Sequence, residues 1–63
     1  MSSDPRKPGG RYYCGYWWQE YDVLETWSHG GVQWFRVLWA DGRQTKHCTA
    51  WDPRADRVIR QPA

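Results

Sequence analysis

Between residues 32 and 40 the chain reads Val-Gln-Trp-Phe-Arg-Val-Leu-Trp-Ala, with Phe35, Val37 and Trp39 at every second position. Side chains alternate across a strand, so these three share one face and Trp34, Arg36 and Leu38 the other. The first set is wholly apolar and belongs inward, which leaves Trp34 and Arg36 together outside. Asp41-Gly42 follows as a hairpin signal between strand-forming flanks, and residues 43–49 are predicted to return as the partner strand. Upstream, residues 21–27 are rich in β-formers and alternate imperfectly, which favours a strand over a helix. Ser28-His29-Gly30-Gly31 closes that segment as a turn. Residues 11–18 are an aromatic run carrying Gly15, read as a first strand or extended arm bent at the glycine. Asp52-Pro53 breaks the pattern, residues 54–56 read as a short turn or 3₁₀ segment, and residues 57–60 as a last short strand. Residues 1–10 hold Ser, Pro, Gly and charge, a mixture that predicts a disordered basic arm, and residues 61–63 predict a frayed tail. One β domain over residues 11–60 remains.

The chain has 63 residues, among them six Trp, four Tyr and one Phe. A chain of this length removes only about 60% of its unfolded surface from water, so it makes one domain with a small core. Each aromatic side chain buries roughly 150–250 Å², which lets a few rings replace many aliphatics. Four or five short strands do not build a two-sheet sandwich, and a flat meander leaves too many rings wet. The expected solution is all-β: a small, strongly bent antiparallel sheet closed on itself as a barrel.

Trp34-Phe35-Arg36-Val37-Leu38-Trp39-Ala40-Asp41-Gly42-Arg43, followed by Thr49-Ala50-Trp51-Asp52-Pro53, resembles the strand, turn and closing segment of SH3-like small barrels of the Tudor and chromo type. The resemblance covers about a third of the chain. It implies an SH3-like barrel of four to five strands. In chromo-like members an aromatic cage recognises methylated lysine, and the matching cage position here is Trp39.

The net charge of +2 permits an anionic partner without demanding one, and seven of the nine cations are Arg, whose planar fork suits phosphate, carboxylate and ring faces. No apolar run approaches the roughly 18 residues that span a bilayer, and no apolar leader core is present, so the expectation is a cytoplasmic protein with no membrane partner. Cys14 and Cys48 then read as two buried free thiols.

On the outer face of residues 32–40, a two-residue turn at Asp41-Gly42 sets Arg36 opposite His47, and a three-residue loop ending at a left-handed Gly42 sets it opposite Lys46. Either register puts a basic or titratable group beside Trp34. A ring plane flanked by cations suits base stacking and phosphate contact. The candidate partner is therefore nucleic acid, DNA or RNA, with Trp34 as platform and Arg36, Arg43, Lys46 and His47 as contacts. Arg11, with Arg6 and Lys7 in the arm, adds sequence-independent attraction. The competing reading is a protein- or peptide-binding adaptor that uses the same Trp-rich surface, or a cage built on Trp39. Glu20, Asp22 and Glu25 read as partners for surface arginines.

Other chemistry finds little support in the pattern. Cys14, His29, His47 and Cys48 match no paired zinc-ligand spacing, Gly30-Gly31 lacks a strand-loop-helix setting, and Ser28-His29 has no third group to orient the imidazole. A domain this small is also expected to lack a pocket of about 300 Å³. The sequence thus reads as a non-enzymatic binding module without cofactor or metal.

Overall fold

The computed structural model describes residues 4–48 and 51–62; the expectations for residues 1–3, Thr49, Ala50 and Ala63 lie outside the described residues. Five strands, β1 (Arg11–Cys14), β2 (Gln19–His29), β3 (Val32–Trp39), β4 (Gln44–His47) and β5 (Asp56–Arg60), form one antiparallel sheet in the order β4-β3-β2-β1-β5. The first strand stops at Cys14, and residues 15–18, expected to extend it, make the turn into β2.

The turns carry the conformations that glycine permits. His29 pairs with Val32 around Gly30-Gly31, whose φ angles of 61° and 77° are both left-handed, as a two-residue hairpin turn requires. The next hairpin takes the three-residue form: Trp39 N–H donates to Arg43 O at 2.8 Å, and Gly42, at φ 92°, donates to Trp39 O at 2.9 Å. Arg36 accordingly faces Lys46, not His47.

Tyr12, Cys14, Tyr21, Val23, Phe35, Val37 and Trp39 are buried on one face of the sheet, with Trp51 and Val58 packed against them. The inward row expected of Phe35, Val37 and Trp39 is observed. In β2 the pairing shifts register between Val23, opposite Val37, and Glu25, opposite Arg36, so Leu24 is an extra residue. This bulge reverses strand parity: Tyr21 and Val23 point inward before it, and Trp27, which shares their odd spacing, points outward after it. The imperfect alternation of residues 21–27 is the trace of that insertion.

The expected closure into a barrel is not seen: the sheet is open, and among the described residues no strand pairing joins β4 to β5. The buried face is covered instead by chain outside the strands. Tyr12 is fully buried, and a buried phenol needs hydrogen-bond partners. It donates to Pro5 O and accepts from Lys7 N–H, both at 3.0 Å, which fixes residues 5–7 over the core. Gly9 N–H and Val23 N–H then exchange bonds with Val23 O and Gly10 O at 3.0 and 3.1 Å. A Cβ at Gly10 would lie 2.3 Å from Tyr12 Oη, so only glycine fits there. Residues 4–10, read from composition as a free arm, are therefore docked on the sheet. Arg6 is only 6% exposed, its guanidinium 4.1 Å from the Phe35 ring centre and forked onto Asp4 at 2.6 to 3.2 Å. Both thiols are free, but Cys48 is exposed where burial was expected; only Cys14 is buried.

Candidate functional site

The buried face opens into a cavity of about 330 Å³ to which every strand contributes at least one side chain. Its size corrects the expectation that so short a chain holds no such pocket. His47 of edge strand β4 and Asp56 of edge strand β5 both line it, so the sheet curls far enough for its two free edges to look into one space. The walls that matter chemically are Tyr16, Trp17, Tyr21 and Trp39, together with the carboxylates of Asp52 and Asp56.

The inner wall is rigid. Tyr21 and Trp39 face each other across β2 and β3 with ring centres 5.2 Å apart. The Tyr21 hydroxyl donates to Asp56 Oδ2 at 2.9 Å; burial first, and then the charge of Asp56, push its pKa well above the ordinary phenol value. Trp39 Nε1 donates to Thr45 Oγ1 at 2.6 Å, and Thr45 Oγ1 lies 2.6 Å from His47 Nε2. Burial, reinforced by the charge of Arg6, lowers the His47 pKa, favouring the neutral ring. A neutral imidazole lets Thr45 accept from the indole and donate to Nε2, so the indole N–H, the hydroxyl and Nε2 are all paired.

The rim is built by two turns held to each other. Asp52 Oδ1 accepts the Arg54 N–H at 2.9 Å, and Asp52 O accepts from Ala55 and Asp56 at 3.0 and 2.8 Å. The Arg54 backbone N–H, then its side chain, hold the Asp52 carboxyl below the usual carboxylate range. Gly15 N–H donates to Ala55 O at 2.8 Å, and a Cβ on Gly15 would sit 2.1 Å from that oxygen. The close approach explains the glycine and locks the turn of residues 15–18 onto the Asp52 turn. Tyr16 and Trp17 meet edge to face at 5.6 Å, yet Tyr16, Trp17 and Trp18 remain 80%, 62% and 80% exposed.

The opposite face of the sheet carries the residues singled out from the sequence. Trp34 lies there half-buried, stacked on Trp27 with ring centres 6.4 Å apart and planes 11° from parallel. Arg36 shares the face but is engaged by Glu25 at 3.2 Å. Arg11 pairs with Glu20 at 2.8 Å, with Asp22 3.9 Å away, and Arg43 pairs with Asp41 at 2.9 Å beside the hairpin. Glu20, Asp22 and Glu25 thus serve as the arginine partners expected of them. Lys46, opposite Arg36, meets no carboxylate among the described residues.

The tertiary structure divides the candidates. Trp34, Arg36 and Lys46 come together; Arg11 sits two strands away behind a row of carboxylates. His47 leaves the outer set because the three-residue hairpin loop turns it toward the buried face, where Trp39, the cage candidate, lies by the parity of β3. Trp39 is 9% exposed and forms part of the inner wall. The contributions of Tyr16, Trp17, Asp52 and Asp56 were missed. Their one visible signal was Gly15 followed by three consecutive aromatics, a poor strand and a costly turn. No protein-family model, no curated protein and no solved structure matches this chain.

Proposed function

We propose that this chain is a small non-enzymatic binding module, an SH3-like barrel left open between β4 and β5, whose partner is a protein segment that places a cationic side chain in the aromatic cavity. The strand arrangement supports the fold reading: a four-strand meander with β5 returning beside β1. One observation carries the functional reading: four aromatic rings and two carboxylates converge on one cavity of about 330 Å³. Ring faces and carboxylates attract cations, and partial exclusion of water strengthens both attractions. Arg6 also borders the cavity, with its guanidinium forked onto Asp4 and held against the Phe35 ring. A methylated lysine is one form of the guest, since methylation keeps the charge while lowering hydration.

Short peptides with a central lysine, trimethyl-lysine or glutamate test this. Titrated while the indole N–H resonances of Trp17 and Trp39 are followed, both cationic peptides should shift them and the glutamate peptide should not. Asp56→Asn should weaken the cationic peptides several-fold. Equal response to glutamate, or no response to any peptide, would remove the proposal.

A second reading keeps nucleic acid as partner of the outer face, favoured by the parallel Trp27 and Trp34 rings beside Lys46. Oligonucleotide binding that weakens with salt and with Trp34→Ala or Lys46→Ala supports it; no binding at low salt ends it.

A further inference from the structure

The turn between β1 and β2 is an unusual place for aromatic side chains. Tyr16, Trp17 and Trp18 are 80%, 62% and 80% exposed, and together they contribute little to the core. Trp18 also holds a left-handed backbone, φ 56°, the one non-glycine residue with positive φ among the described residues. That conformation crowds Cβ against the backbone, and glycine or asparagine ordinarily takes it. The chain accepts glycine at Gly30, Gly31 and Gly42 where the same geometry arises. A tryptophan that strains the backbone and stays in water is not explained by folding. Strain of this kind persists at binding sites.

The turn is also fixed in place. Gly15 ties it to Ala55, three residues beyond Asp52, and Tyr16 and Trp17 continue directly into the cavity wall. Two exposed indoles on an anchored turn, one of them in the wall of a carboxylate-bearing pocket, have the makings of an interface anchor, since Trp and Tyr give large contact area at small entropic cost.

We infer that residues 16–18 form a second, apolar subsite continuous with the cavity, so that the partner is a protein segment whose cationic residue is flanked by a large apolar one. This rests on the cavity reading under Proposed function. The cation enters between Tyr21, Trp39, Asp52 and Asp56, and the neighbouring apolar side chain lies on Trp17 and Trp18. The carboxylates at the rim argue for a cationic protein segment over an anionic bilayer as the occupant.

Trp18→Gly is the informative variant, because glycine relaxes the backbone at this position. Its melting temperature should be equal or higher, by about 4 °C. Two lysine peptides, one with serine and one with leucine flanking the lysine, are then titrated into both proteins. On the natural chain the leucine peptide should bind about tenfold tighter, the order expected for burying one large aliphatic side chain. On Trp18→Gly that advantage should shrink to about twofold or less, with the serine peptide unchanged. If both peptides bind alike and Trp18→Gly changes nothing, the subsite is wrong and the cavity reading stands. If neither peptide binds, the cavity reading falls and takes the subsite with it. If the natural chain binds phosphatidylcholine vesicles and Trp18→Gly abolishes that, the turn is a membrane anchor and the inference is overturned.

Discussion

Trp27 and Trp34 stack across β2 and β3 on the outer face because one residue, Leu24, is inserted between Val23 and Glu25. If Leu24 were instead paired in a regular ladder with no bulge, Trp27 would share parity with Tyr21 and Val23 and would point into the core.

Deleting Leu24 takes out the extra residue and leaves Val23 opposite Val37 and Glu25 opposite Arg36 in one unbroken register, so every other side chain of β2 keeps its face. The deletion variant should therefore still unfold cooperatively, with the near-ultraviolet circular dichroism of the stacked Trp27 and Trp34 retained. Loss of the cooperative transition would show that the fold needs the bend of the bulge itself and not only the parity it sets.

Residues 4–10 carry structural weight. Arg6 stacks on Phe35 and forks onto Asp4, so Arg6→Ala removes a buried contact and leaves Asp4 without its partner. A loss of roughly 1–3 kcal/mol is expected, measured by urea denaturation. Truncation to residue 11 should cost more, since it also strips Tyr12 Oη of both its backbone partners. An unchanged midpoint for the truncated chain would mean the segment is only laid against the sheet.

His47 gives the fold a pH dependence of definite sign. Its folded pKa lies below the ordinary 6.5, through burial first and Arg6 second, so in the window just below 6.5 the unfolded chain binds a proton that the folded chain does not. Stability is therefore lost as pH falls through that window. Thermal melts should show a lower melting temperature near pH 5 than near pH 7, and His47→Gln should reduce the difference. A slope that His47→Gln leaves untouched would place its origin elsewhere. Cationic peptides should weaken over the same range, because a protonated His47 adds positive charge to the cavity wall.

Gly15→Ala tests the joint between the two rim turns. Its Cβ would lie 2.1 Å from Ala55 O, a backbone atom, so the Gly15–Ala55 hydrogen bond must open. A destabilisation of about 1–3 kcal/mol should accompany loss of the bond, read as faster amide exchange at Gly15. Retained protection would show that the turns tolerate separation.

Much of the strand framework was legible in the chain itself. The period-two row of Phe35, Val37 and Trp39 fixed the inner face of β3, and Gly30-Gly31 and Asp41-Gly42 marked the hairpins, because side-chain alternation and left-handed backbone are local properties. The hairpin register was narrowed to two forms, and the conformation at Gly42 chose between them.

What only the tertiary structure decided depends on groups distant along the chain. Arg6 is a polar residue in a polar stretch, and nothing local reveals that Tyr12 needs the carbonyl of Pro5 or that Phe35 offers a ring to a guanidinium. The cavity likewise draws Tyr21 from β2, Trp39 from β3 and Asp56 from β5, residues that no spacing links. Alternation along a strand says which face a side chain takes. How far a sheet curls, and what then meets across it, follows from burying the largest rings and satisfying their polar ends, and that is settled by the whole chain at once.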